Sequence, residues 1–371
     1  MVRPASNSAA APAGRYICTM FRPRVTLRDV ARRARVHTST ASRVLNPATR
    51  ELITERIARR VTTAAEQLGY QPNPNAYSLK TNRTRTVGVL IPDIANPVFP
   101  PILRGIEDAF AESGYTAILA NTDNDGDREG IIFQEMLARR VDGLILATAR
   151  RRDPLVDRCL EEAIPVVLIN RTVDRGDVSF VVNDDAFGIG LAVAHLAAMG
   201  HVRIAHLSGP LTLSTGFARH RGFIRAMKKA GLRADPRRIG VCAGFTESEG
   251  RRAFLDLRDR DRGFTAVVAA NDMIALGCYD AAREIDLRIP DDFSVTGFND
   301  MPFLDKLRPA LTTVRIPHYQ MGAQAARTLL ARLNGGLAAV EHVTLLPELI
   351  ARGSTAAPSS RGKARRRRTR E

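Results

Sequence analysis

The sequence predicts an α/β protein: a small all-α head, patterned helix-turn-helix, followed by a long core of two doubly wound parallel sheets. Three observations carry this expectation. Residues 25–46, VTLRDVARRARVHTSTASRVLN, are patterned as a helix, a tight turn and a second helix. From Thr86 onward, short apolar runs rich in β-branched residues alternate with helical runs, and the alternation occurs in two successive sets. A chain of 371 residues is also too long for one hydrophobic core and suits one small and one large unit.

The head comes first. Thr26 stands three residues before Asp29, a capping-box spacing, and Leu27, Val30, Ala31 and Ala34 then share one helical face. Arg35 and Val36 make the turn. The second helix, residues 38–45, turns Ala41, Val44 and Leu45 inward and shows Thr38, Ser39, Ser42 and Arg43. Short donors and acceptors beside an Arg are what contact with base edges requires, although a solvated helical hairpin carries the same pattern. Thr54 opens a third helix with Ile57, Val61, Ala65 and Leu68 inward, and Gly69 stops it. Residues 71–85 form a polar hinge with one apolar side chain, Leu79. Residues 1–24 lack periodicity and read as a disordered extension.

Charge sharpens the division. The net charge is +16, yet residues 1–85 hold 16 Lys/Arg against 4 Asp/Glu, a net of +12, and residues 361–371 add +6. The long middle is left at −2, so the excess sits at the two ends and calls for a polyanionic partner. Residues 354–371 read as a basic disordered tail. Cys18, Cys159, Cys242 and Cys278 are far apart, with neither metal-ligand nor disulfide-framework spacing, as in a cytoplasmic protein with reduced thiols. No apolar run approaches the ~20 residues of a membrane span, and no secretory signal is visible.

In the core, strands are expected at residues 86–91, 116–120, 143–147 and 166–169, with helices at 98–113, 128–139 and 154–162. A second set has strands at 203–207, 238–241, 265–269 and 294–298, and helices at 184–199, 214–230, 247–257 and 272–284. Two such units imply two subdomains with a cleft between them, and open α/β sheets bind ligands beyond the C-terminal ends of their strands. Asp93, Asn96 and Phe99 follow the first strand, and Asn121 and Asp123 the second. Asn271 and Asp272 follow one later strand, Asn299 and Asp300 another, and Arg219 lies near a helix start. Carboxylates, amides and an Arg around an aromatic platform suit a polyhydroxylated ligand. Asp272 and Asp300 could equally cap helices, and Arg221 could compete with Arg219. No Ser nucleophile elbow, HExxH or GxxxxGKS/T is present, and His195, His201 and His206 lack the spacing of a metal triad. Neither an enzyme, a metal nor a cofactor is expected.

Four runs, DVARRA (29–34), STASRVLN (39–46), AAEQLGYQPN (64–73) and SLKTNRTRTVGVLIPDIANPVF (78–99), together resemble the lactose-repressor (LacI/GalR) family of bacterial transcription regulators. The resemblance runs from about residue 25 to 353. It implies a head at 25–70, a hinge at 71–85 and, at 86–353, an effector-binding and dimerisation core of the periplasmic-binding-protein type. That core would have crossovers near Val182 and Leu311, and a helix at 321–333 returning to the first subdomain. It implies a homodimer on a palindromic operator, read by Thr38 and Ser39 with Ser42 and Arg43 following, and flanked by Thr26, His37 and Asn46. A hinge helix would wedge Leu79 into the minor groove. Arg219, Asn271 and Asn299 match effector contacts. Departures are Arg35 for a common Gly or Asn, His37 for Ser, Tyr77 for Arg and Asn299 for Asp. No C-terminal leucine heptads follow, which points to a dimer. The implied function is sequence-specific transcriptional regulation, most often repression, controlled by a small polar effector such as a sugar or sugar derivative. The alternative is a solute-binding receptor with the same core.

Overall fold

The computed structural model describes residues 25–71, 83–335 and 339–359. The extension at 1–24, Leu79 with most of the hinge, and the tail from residue 360 lie outside the described residues. The chain divides into two compact units, Met1–Asn82 and Arg83–Glu371.

The head is α1 (Leu27–Ala34), α2 (Thr38–Val44), a 3-10 segment (Pro47–Leu52) and α3 (Glu55–Leu68). Both halves of the expected capping box form: the Asp29 N–H reaches the Thr26 hydroxyl, and the Asp29 carboxylate takes the Thr26 N–H at 3.0 Å. Arg35 closes α1 in the left-handed region (φ 50, ψ 51), the conformation that Gly or Asn adopts more cheaply. The Ala34 carbonyl at this bend accepts from the Arg60 guanidinium of α3. Gly69 ends α3 with φ 62. The core between the helices is made of small side chains, Val30, Ala31, Ala34, Ala41, Val44, Ala58, Val61, Ala64 and Ala65, so the helices pack closely.

The larger unit holds two six-stranded sheets. The first subdomain runs β1 (Thr86–Ile91), α4 (Phe99–Glu112), β2 (Thr116–Asn121), α5 (Gly126–Ala138), β3 (Gly143–Leu146), α6 (Pro154–Glu161), β4 (Val166–Ile169) and β5 (Ser179–Asn183). The chain then crosses and continues as α7 (Asp185–Ala198), β6 (Ile204–Ser208), α8 (Ser214–Lys229), β7 (Ile239–Val241), α9 (Glu247–Arg260), β8 (Ala266–Ala269), α10 (Asp272–Glu284), β9 (Ser294–Asn299) and β10 (Thr312–Arg315). It crosses back into α11 (His318–Leu333) and β11 (His342–Leu345), and a third time into β12 (Glu348–Ile350). The strand orders are β11-β5-β4-β3-β1-β2 and β12-β10-β9-β8-β6-β7, parallel throughout except for β12. Strands β3, β4 and β8 are buried along their whole length, as unbroken apolar runs in a parallel sheet should be, and β9 is equally buried although it carries Ser294, Thr296 and Asn299.

Several expectations shift. The first crossing, expected near Val182, falls at Asp184. The second follows Arg315 rather than Leu311, because residues 312–315 complete the second sheet first. Strands β5, β10, β11 and β12, each of three to five residues, were not anticipated, nor was the third crossing. The core also continues past residue 353: Ser354 is fully buried, and its hydroxyl donates to the Val295 carbonyl at 2.6 Å.

Helix α11 returns to the first subdomain and crosses α4 backbone to backbone. A Cβ on Gly322 would lie 2.0 Å from the Ile102 carbonyl oxygen, and one on Gly105 would lie 2.1 Å from that of Tyr319. Gly322→Ala should therefore force the helices apart and cost about 1–3 kcal/mol, a melting point lower by a few degrees. Gly130→Ala on α5, where nothing lies within 4 Å of the added methyl, should instead gain about 0.5–1 kcal/mol. Thermal melts of both variants check this, and a Gly322→Ala protein that melts with wild type rules the close crossing out.

Candidate functional site

Two surfaces carry the chemistry. On the head, His37 caps α2: its Nδ1 accepts the Ser39 N–H at 3.3 Å and lies 2.7 Å from the Ser39 hydroxyl. Ser39 and Arg43 are exposed, Thr38, Ser42 and Asn46 are half-buried, and Thr26 is exposed at the start of α1. Among the described residues nothing pairs with the Arg43 guanidinium. Four other arginines of the head lean on their own unit. Arg32 meets Asp29 at 3.4 Å, Arg33 donates to Gln67 at 2.9 Å, Arg59 meets Glu55 at 3.1 Å, and Arg60 holds Ala34. Exposed pairs of this kind contribute about 0–1 kcal/mol, so a phosphate can displace them.

The second surface is a cavity of about 280 Å³ beyond the C-terminal strand ends of both sheets. Six of the ten ligand residues expected from sequence line it: Asp93, Asn96 and Phe99 from the first subdomain, and Arg219, Asn271 and Asn299 from the second. Asp93 and Asn96 also shape their loop, accepting the Ala95 N–H at 2.9 Å and the Val98 N–H at 3.2 Å. Asn271 caps α10 through the Ile274 N–H at 2.9 Å. Asn299 has φ 118, and among the described residues its buried Oδ1 has no hydrogen-bond partner.

The other four stand elsewhere. Asn121 accepts the Ile94 N–H at 2.9 Å, and Asp123 pairs with Arg128 at 2.6 Å, both outside the cavity. Their neighbours Thr122 and Asn124 line it instead, the side-chain alternation expected on leaving a strand. Asp272 is wholly buried and accepts from the Thr313 hydroxyl at 2.5 Å and the Met301 N–H at 3.0 Å. Burial pushes its carboxyl up to about 7. Asp300 is held by Arg315 and Arg352, each at 2.7 Å. Neither acid caps a helix through its side chain.

Arg219 is no free anchor. It is 3% exposed, and its Nε donates to Asp185 at 2.8 Å and its Nη1 to the Ala270 carbonyl at 2.8 Å. The guanidinium lies 3.9 Å over the Phe298 ring. Burial raises the Asp185 carboxyl against the pull of Arg219. Arg221 is exposed over Phe217 and does not line the cavity. Sequence reasoning missed Asn124, Glu129, Arg150, Arg171 and Phe245, all on the cavity wall. Arg171 follows the end of β4, so the strand-end rule that chose the others also reaches it. Glu129, on a helix, carries no such signal.

His195 meets the Thr355 hydroxyl at 2.9 Å, His201 meets Thr265 at 2.8 Å, and His206 meets the Val268 carbonyl at 2.8 Å, with burial holding His206 near 3. Among the described residues, no three His, Cys, Asp or Glu side chains gather as a metal site, and no helix is long and apolar enough to cross a membrane.

A helix-turn-helix head joined to a two-subdomain ligand cleft defines a ligand-responsive, DNA-binding transcription regulator. Comparison with known proteins agrees. Residues 26–73 match the model of bacterial regulatory proteins of the lacI family, and residues 193–355 match a periplasmic binding protein-like domain. The ribose operon repressor of Escherichia coli (strain K12) is 33% identical over 332 residues, 89% of this chain and 99% of that protein. The structure of the lac repressor dimer bound to operator and the anti-inducer ONPF superposes with a TM-score of 0.80 at 26% identity, covering 90% of this chain and 100% of that one. A complex of the transcriptional regulator CelR with cellobiose superposes at 0.70 with 30% identity, over 90% of this chain and 100% of that one. The chain belongs to the LacI family of bacterial regulatory proteins.

The Arg219–Asp185 pair makes a clear prediction. Breaking a buried pair from one side leaves an uncompensated charge and costs about 3–5 kcal/mol. Arg219→Gln and Asp185→Asn should each destabilise the core by that order. The double variant should cost less than the sum of the two, and urea unfolding of all three checks it. Additive losses would mean that the two groups do not interact.

Proposed function

We propose that this chain is a homodimeric repressor that places α2 of each protomer on one half of a palindromic operator. It loses operator affinity when a small polyhydroxylated effector fills the core cleft. We place the head at residues 25–70, the hinge at 71–85 and the effector-binding core from residue 86. The protein works in the cytoplasm and carries out no catalysis. The observation that supports effector control is that one small cavity draws its polar lining from both subdomains. A ligand bridging them favours one arrangement over the other, which is what a shift of population requires. One relative is named for the ribose operon, and one solved neighbour holds cellobiose. About 280 Å³ suits one sugar-sized ring better than two. Operator titration by fluorescence anisotropy, with and without candidate ligands, tests the reading; an operator affinity that no cleft ligand alters would overturn it.

Within this reading, Thr38 and Ser39 set half-site preference, with Ser42, Arg43, His37, Asn46 and Thr26 as supporting contacts. Exchanging Thr38 and Ser39 together should change which half-sites emerge from a randomised operator library. The salt-dependent, non-specific term should stay the same. An unchanged selection would remove α2 from the reading role.

Leu79, in a polar hinge, is assigned to the minor groove of the operator centre. Leu79→Ala should lower specific operator affinity while leaving the melting point and ligand binding of the core unchanged. A loss no greater than about twofold, under ~0.5 kcal/mol, would show that the side chain is not a wedge.

A further inference from the structure

We propose that the effector carries an anionic group, a carboxylate or a phosphate, and that Arg171 and Arg150 on the first-subdomain wall of the cleft receive it. This rests on the reading of the cleft as the effector site.

Arg171 is only 6% exposed, and among the described residues no carboxylate pairs with it. Its Nη atoms reach only neutral acceptors. Asn124 Oδ1 lies at 3.2 and 3.3 Å and the Thr148 carbonyl at 3.3 Å, while its buried Nε has no partner. Arg150 donates to the backbone carbonyl of Asn124 at 3.1 Å, and among the described residues no carboxylate pairs with its guanidinium either. Two positive charges therefore converge on one neutral residue, Asn124, which holds a left-handed backbone (φ 57). A buried guanidinium without a counter-charge is unfavourable, and its planar fork matches a carboxylate or a phosphate.

The acids nearby do not supply the missing charge. Asp185 is spent on Arg219. Asp153 is buried as the cap of α6, taking the Leu155 and Val156 N–H groups and the Arg150 backbone N–H. Asp93 gives one oxygen to its own loop. Glu129 lines the same wall, but no ion pair joins it to either guanidinium, and burial raises its carboxyl against the pull of Thr148 and of both arginines. Two further strand-end positions on the cavity, Asn170 and Asn299, are amides. Beside Asp93 and Glu129, the polar wall is made of amides and guanidinia, whose N–H groups suit the oxygens of an anion.

The test uses the full chain and one carbon skeleton: glucose, gluconate and glucose 6-phosphate, with inorganic phosphate beside them at constant ionic strength. Binding is read by calorimetry and by melting point, and operator affinity is measured on the same samples. At least one anion should bind tenfold or more tightly than glucose, with gluconate against glucose 6-phosphate deciding between carboxylate and phosphate. Arg171→Gln should cut that binding at least tenfold, while its unliganded melting point stays level or rises, since an unpaired buried charge has gone. A scaffold role for Arg171 would lower that melting point instead. Three results overturn the proposal: glucose binding as well as both anions, no anion (inorganic phosphate included) raising the melting point, or Arg171→Gln retaining full anion binding. A neutral probe that weakens operator binding would sink this inference and leave effector control standing. Anion binding lost in Arg171→Gln, with operator affinity deaf to every probe, would do the reverse.

Discussion

The buried ion pair between Arg219 and Asp185 joins parts of the core that the sequence keeps apart. Asp185 is the first residue of α7, directly after the chain first leaves one subdomain for the other. Arg219 lies on α8 and faces the cavity. Its second hydrogen bond ends on the Ala270 carbonyl just beyond β8, and its flat face rests on Phe298 of β9. One side chain thus fixes the floor of the cleft, the exit of a crossover and two strand ends. Because both charges are out of water, the pair holds only while its geometry is good. The cleft and the crossover cannot be remodelled separately.

A second tie has the same form. Asn299 lines the cavity, and the next residue, Asp300, holds Arg315 at the end of β10, where the chain crosses back. Arg315 also meets Glu348 at 3.1 Å, at the start of the strand reached by the third crossing, and Arg352 beyond that strand closes on Asp300. All three crossovers are therefore linked to residues in or beside the cleft. A ligand shifts an equilibrium only by its differential affinity for the two states. A cleft lined from both subdomains and ion-paired to the segments between them supplies a physical route for that difference to reach the rest of the chain.

Much of this was legible in the sequence, and the residues show why. The head follows local rules, in which a capping box, a helical face and a stop glycine each act within a turn or two. Even Arg35, a departure from the small residues usual in such turns, takes up the same left-handed bend. The central strands were legible because burial on both faces demands unbroken apolar runs. Strands β11 and β12, HVTL and ELI, carry no such signature. Each spans three or four residues and stays partly open to solvent, so what places it is its partner, β5 for one and β10 for the other.

The cleft shows a different limit. Loops after parallel strands are rich in Asp and Asn for two unrelated reasons: they meet ligands, and they cap helices or latch neighbouring segments. Residue type cannot separate these uses, but partners can. Asp272 is consumed by Thr313 and the Met301 N–H, Asp300 by two arginines, Asp185 by Arg219, and Asp123 by Arg128. A sequence that seems to ring its ligand with carboxylates therefore spends most of them on itself. What is left facing the cavity, beside Asp93 and Glu129, is mostly amides and the guanidinia of Arg150 and Arg171, which pair with no carboxylate among the described residues, a character that belongs to no single residue and emerges only once each acid has been traced to its partner.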